Sequence, residues 1–150
     1  MAKARRGFTL IELLAVITII GILATFGFPM VQATKMKAIK ASMVSDLRNL
    51  VSAQEAFFSI YADYAGSITS GADAGASLPS SGVLSFRLSP GNTLALSWKN
   101  PASATGPGWS AAITNPGIAN TSFTECGVFI GSTTYAPNAA VVREGVPTCY

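Results

Sequence analysis

Between Phe8 and Val31 lie roughly 24 residues that carry a single ionisable side chain, Glu12. At about 1.5 Å per residue a helix over this run is about 36 Å long, enough for a hydrocarbon core of about 30 Å. Residues 8 to 31 therefore read as a transmembrane segment. A carboxylate at membrane depth costs several kcal/mol and by default marks function, so Glu12 needs a partner of opposite charge. The alternative open to it is the interface: four residues after Phe8, it is close enough to the end of the run to reach water.

The flanks limit what this run is. The residues before it, "MAKARRG", are short, basic and end in glycine. A secretory signal would instead close its apolar stretch with a small-x-small cleavage site. Here the run passes into "GFPMVQATK", where Val31, Gln32 and Ala33 make no such site. Cleavage after Gly7 keeps the run in the mature chain. It also removes Lys3, Arg5 and Arg6. The ten Lys and Arg then fall to seven, equal to the seven Asp and Glu, and the formal +3 becomes zero. The basic balance is thus poor support for nucleic-acid binding.

Helical periodicity continues past the apolar run. Met36, Ile39, Met43, Leu47, Leu50, Gln54, Phe57 or Phe58, and Tyr61 recur at steps of three and four, with Lys37, Lys40, Asp46, Arg48, Glu55 and Asp63 mostly between them. This predicts one long helix whose second half is amphipathic, ending near Gly66 as C-cap. Gly21, Gly27 and Pro29 are breakers inside it, and the stretch from Gly21 to Pro29 is expected to be its weakest part. A serine, glycine and alanine-rich loop runs to Gly82. Beyond it, "VLSFRLS", "TLALSWK", "GWSAAIT", "CGVFIGS" and "AAVVRE" read as strands, divided by turns such as Pro90-Gly91-Asn92 and Asn115-Pro116-Gly117. The expected fold class is α+β, an antiparallel sheet of three to five strands with one face covered by the amphipathic helix. The boundaries are residues 1–7 for the leader, 8–31 for the apolar helix, 32–65 for the amphipathic helix and 66–150 for the sheet-bearing head.

There is no histidine, and the two cysteines, Cys126 and Cys149, both lie near the C-terminus. In an exported segment an even pair reads as one disulfide, the alternative being two unrelated buried thiols. Two thiols without histidine supply too few ligands for zinc, and no metal or other cofactor is expected. Without histidine there is no triad chemistry, the acidic residues are scattered, and no phosphate-cradling loop appears. An enzyme is therefore not expected.

"RGFTLIELL" at residues 6 to 14 resembles the N-terminal motif of type IV prepilins and of the pseudopilins of type II secretion systems. The shared elements are a basic leader ending in Gly7, then Phe8, Thr9, Leu10, Glu12 and a long apolar helix. "DLRNLVSAQEAFF" at 46 to 58 is similar to the exposed half of pilin helices. The resemblance implies cleavage between Gly7 and Phe8 by a prepilin peptidase and N-methylation of Phe8. It implies that Glu12 neutralises the terminal amine of a neighbouring subunit during assembly. It also places Gly21 and Pro29 at the ends of a segment that loses helical form in several such filaments. Lys35, Lys37 and Lys40 follow the apolar run as three cations precede it, so charge bias does not set orientation. The resemblance supplies it: leader in the cytoplasm, head in the periplasm, precursor in the bacterial inner membrane, assembled pilus on the cell surface. The implied partners are other copies in a helical filament, an assembly platform with its ATPase, and minor pilins. The function expected is a structural filament subunit; the alternative is a minor pilin or a type II secretion pseudopilin with a tip or binding role. Trp98, Trp109 and Tyr150 would serve such binding if exposed, although tryptophan is more often buried in a sheet. Pseudopilin heads often bind calcium, and Glu125 and Glu144 are few carboxylates for that ion.

Overall fold

A computed structural model describes residues 7–66, 68–70, 76–77, 83–84, 86–99, 106–118 and 123–150. The leader residues before Gly7 and most of the loop before Gly82 lie outside the described residues. The chain divides into two units, Met1–Met36 and Lys37–Tyr150, and helix α1 (Leu10–Tyr61) contributes to both.

In the first unit the helix begins immediately after Thr9 and continues through Gly21, Gly27 and position 29 without interruption. Threonines within this stretch turn their hydroxyls back onto the helix: Thr18 donates to the carbonyls of Leu14 and Ala15, Thr25 to that of Ile22, and Thr34 to that of Met30. Such back-bonding satisfies each hydroxyl without water, which a hydrocarbon environment requires. The large apolar side chains described in this unit, from Phe8 to Val31, are all exposed. α1 thus holds a segment long and apolar enough to cross a membrane, with none of it buried inside the protein.

The second unit is the α+β head. In chain order it contains the end of α1, then β1 (Ile68–Ser70), β2 (Ala76–Ser77), β3 (Val83–Leu84), β4 (Thr93–Lys99), β5 (Gly108–Thr114), β6 (Glu125–Ile130), a 3-10 turn η1 (Thr133–Tyr135) and β7 (Thr148–Cys149). Five strands form one antiparallel sheet in the order β1-β4-β5-β6-β7, and β2 pairs with β3 in a separate ribbon. Register sorts the side chains by face. Leu94, Leu96 and Trp98 stand opposite Ile113, Ala111 and Trp109, which stand opposite Cys126, Val128 and Ile130. This face packs with Met43, Leu47, Leu50 and Phe57 of α1 into the main core. On the other face Phe129, Tyr135 and Val141 form a second cluster, with Ala136 and Tyr150 against it. "GWSAAIT" is buried at six successive positions because both faces of β5 are covered there.

The structure corrects several sequence expectations. α1 ends at Tyr61, with Ala62 in the left-handed region at φ 54°, so Ala62 rather than Gly66 takes the terminating conformation. "VLSFRLS" is a strand only over Val83–Leu84, and "AAVVRE" is turn and coil, not a strand. Its Val141 is buried as a loop residue of the second cluster, which imitates an apolar strand position. Conversely, the segment read as a loop before Gly82 supplies β1 and β2, and the two-residue β7 was not anticipated. Asp46, grouped by spacing with the outward charges, is 3% exposed.

Candidate functional site

The first unit presents its one carboxylate at the point where the helix starts. Thr9 is the N-cap: its hydroxyl accepts from the Glu12 amide at 3.3 Å, while its own amide and hydroxyl donate to Glu12 Oε2 at 2.9 and 2.8 Å. This is a reciprocal capping box, T-x-x-E, which satisfies donors that the first turn of a helix leaves open. The negative charge also complements the positive end of the helix dipole. Both Thr9 bonds go to Oε2, so Oε1 can accept from a donor outside the chain. The sequence motif [ST]-x-x-[DE] before an apolar run carries this information, and Thr9 is the functional residue that attention to Glu12 alone passes over.

Gly7 and Phe8 precede the helix outside any regular element, and Phe8 is 80% exposed. No heavy atom approaches the space where a Cβ on Gly7 would sit. Hydrolysis of the Gly7–Phe8 peptide bond would create an α-amino group four residues before Glu12. Gly21 and Gly27 also border open space, within an unbroken helix.

In the head, Cys126 and Cys149 form a disulfide between directly opposed residues of β6 and β7. The Tyr150 carbonyl accepts from the Thr124 and Glu125 amides, and the Glu125 carbonyl accepts from the Tyr150 amide. Gly145 donates to the Phe129 carbonyl. The C-terminal segment is thereby fastened along the edge of β6. Gly127 of β6 has no room for a side chain, since a Cβ would lie 2.6 Å from the Pro137 ring.

A second polar centre fixes the sheet to the helix. The turn Ser89–Asn92 closes through the Asn92 amide on the Ser89 carbonyl at 3.1 Å, with Gly91 at φ +84°. Asp46 of α1 accepts from the Ser89 amide, the Ser89 hydroxyl and Asn92 Nδ2 at 2.9, 2.8 and 2.7 Å. Asn115 Nδ2 donates to Asn92 Oδ1, and Asn115 Oδ1 accepts from the Gly117 amide, so the second predicted turn joins the same network. At the far end of α1, buried Gln54 accepts from the Ala65 amide at 2.8 Å and holds the chain as it leaves the helix. Tyr64 donates to Glu55 and stacks on Phe58. Burial, then the Glu55 charge, pushes its hydroxyl up to about 12. Burial, then the charge of Glu125, does the same for Tyr150, also to about 12.

Trp109 is fully buried and Trp98 and Tyr150 are half-buried, which removes most of the aromatic surface that a binding role would use. Among the described residues no cluster of three or more His, Cys, Asp or Glu is placed to hold a metal ion.

Parts of the chain are similar to known proteins. The family described as "Prokaryotic N-terminal methylation motif" matches residues 2–28. The chain is 41% identical over 66 residues to the type IV major pilin protein PilA of Myxococcus xanthus, covering 42% of this chain and 30% of that protein. It is 45% identical over 47 residues to the type II secretion system core protein G of Dickeya chrysanthemi, covering 31% of each chain. To the core protein G of Klebsiella michiganensis it is 42% identical over 55 residues, covering 37% of this chain and 39% of that one. The matches thus span about a third of the length of these relatives. No solved structure matches the chain. The N-terminal segment is thus similar to that of type IV pilins and type II secretion pseudopilins, and the chain has an α+β, pilin-like fold.

Proposed function

We propose that the chain is a structural subunit of a type IV pilus-like filament, cut after Gly7 and polymerised through its N-terminal helix. The observation that carries this reading is the first unit itself. Its large apolar side chains described from Phe8 to Val31 are exposed, and its single carboxylate is held at the helix N-terminus with one oxygen open. Such a surface is stable only in lipid or against other copies of itself.

In this reading the membrane is the store and the filament the destination. Cleavage converts the amide nitrogen of Phe8 into an ammonium, and N-methylation leaves it charged. As a subunit enters the filament, that ammonium meets Oε1 of Glu12 on a neighbour. A carboxylate or an ammonium alone in an apolar core costs several kcal/mol, and pairing offsets much of that cost. Uncut chains lack the cation and are rejected. The Thr9 cap keeps Glu12 oriented until the partner arrives. The precursor lies in the inner membrane with its head in the periplasm, the driving ATPase and platform are separate proteins, and the chain has no catalytic role.

Similarity to two core G proteins supports a second reading, a secretion pseudopilin. The two separate on abundance and location: a pilus subunit is the dominant polypeptide of surface filaments, and a pseudopilin is not. The assembly test is Glu12→Ala. The N-terminal peptide should still begin at methylated Phe8 by mass, while filament yield falls about tenfold or more for want of the pair. Normal yield from this variant overturns the proposed role of Glu12.

A further inference from the structure

The two cysteines of the disulfide differ in their surroundings. Cys126 belongs to β6, which pairs with β5 at six positions, and it is fully buried in the main core. Its β5 partner is Ile113, also fully buried, and on the opposite face the neighbouring Gly127 is covered by Pro137 and the Tyr150 hydroxyl. Cys149 belongs to β7, the last strand in the sheet order, which pairs with β6 at two positions. It is half-buried, as are Pro147, Thr148 and Tyr150 around it, and Val146 is exposed. Local opening begins where the backbone is least paired and nearest to solvent. Lifting β7 breaks its short ladder and the bonds of Tyr150 to Thr124 and Glu125. Baring Cys126 requires β6 to leave β5 and the side chains of α1. Exchange between thiols and disulfides depends on which sulfur is attacked and on access to it. We propose that this disulfide is made and broken through Cys149 alone, with Cys126 as the buried resolving thiol, and that its partner is an exchangeable disulfide of the kind a thiol–disulfide oxidoreductase carries.

The chemistry runs in two steps. In the reduced head the Cys149 thiolate attacks one sulfur of the partner's disulfide. That S–S bond breaks, its other sulfur leaves and takes up a proton, and a mixed disulfide joins Cys149 to the partner. When β7 seats on β6, Cys126 Sγ bonds to Cys149 Sγ, the mixed disulfide breaks, and the Cys126 proton passes to the departing thiolate. Two cysteine thiols have then lost two electrons and two protons, and the partner's disulfide has become two thiols. Reduction by an external thiol enters at the same sulfur and reverses both steps. Cys126 and Cys149 stand opposite each other only when β6 is in the sheet and β7 is in register. Closure therefore follows the folding of the head, and the partner is released only from a head already folded. The inference does not depend on the filament reading.

The test reduces the full-length chain in detergent, removes the reductant, adds oxidised glutathione as the disulfide, and maps the adducts by mass spectrometry after acid quenching. Early in the reaction glutathione should sit on Cys149 about tenfold or more over Cys126, and it should disappear as the internal bond forms. Cys126→Ser, which cannot resolve, should keep its adduct on Cys149. Cys149→Ser should gain one on Cys126 about tenfold more slowly. In urea that unfolds the head the two variants should react alike, which separates access from intrinsic reactivity. Equal rates for the two variants without urea overturn the inference, as does failure of Cys126→Ser to form an adduct. If Cys149→Ser loosens the head, the wild-type adduct map decides alone, because it uses no substitution. Adduct on Cys126 first, or equally on both cysteines, overturns the inference there.

Discussion

At the scale of single residues, Thr9 and Glu12 act as one unit. Replacing Thr9 by valine removes the hydroxyl that both donates to Oε2 and accepts from the Glu12 amide, while keeping the backbone bond. Loss of an N-cap side chain costs about 1 kcal/mol of helix stability. Thr9→Val should therefore increase amide hydrogen exchange over the first turn of α1 in detergent, and unchanged exchange there would count against the cap. Asp46 is the corresponding residue in the head. Asp46→Ala leaves the Ser89 amide and the Asn92 side chain without their acceptor in a buried place. About 3 kcal/mol of destabilisation is expected, seen as a lowered melting temperature of the full chain in detergent. Asp46→Asn, which keeps an acceptor, should recover part of that loss.

Among the elements, the C-terminal segment is the one whose place depends on a covalent bond. β7 contributes only Thr148 and Cys149 to the sheet, too short a strand to hold by pairing alone. A disulfide closing a loop of this size is worth about 3 kcal/mol in the chain-entropy description. Cys149→Ser should free the segment from β6, lower the melting temperature, and open the β6 edge to proteolysis near Gly127. Gly127→Ala tests the same packing without touching sulfur, because a methyl there collides with Pro137. Retention of the wild-type melting temperature by both variants would show that the strap contributes nothing. The helix shows the reverse case. Each of its halves owes its helical form to local spacing, and its end at Tyr61 follows from the Gln54–Ala65 and Asp63–Trp98 bonds made beyond it.

For the molecule as a whole, stability at high pH depends on two tyrosines that the fold draws away from water, buried Tyr64 and half-buried Tyr150. Tyr64 and Tyr150 are both pushed from 10 up to about 12. Between those values the unfolded chain loses protons that the folded head keeps, so the unfolded state binds fewer and stability falls as pH rises. The contribution is fully present below pH 10 and is lost through about pH 12. Melting temperature should decline steeply over this window, and Tyr64→Phe should flatten the decline. A wild-type profile without that slope would show that neither phenol is held from water.

The sequence by itself determined what depends on near neighbours along the chain. The apolar run, the position of Glu12 and its T-x-x-E cap, the amphipathic spacing from Met36 to Tyr61, and the extents of β4 and β5 all follow from short periods that a helix or strand imposes. These suffice for the α+β class and for the resemblance to pilins. The tertiary structure decided what depends on distant residues meeting. It drew β1 out of a glycine and serine-rich loop by offering the free edge of β4, and it left "AAVVRE" outside the sheet because Val141 covers the second face. It buried Asp46 because Ser89 and Asn92, some forty residues away, turn their donors toward it. Whether a charged or apolar side chain lies inside is set by what packs opposite it, and no local pattern contains that partner.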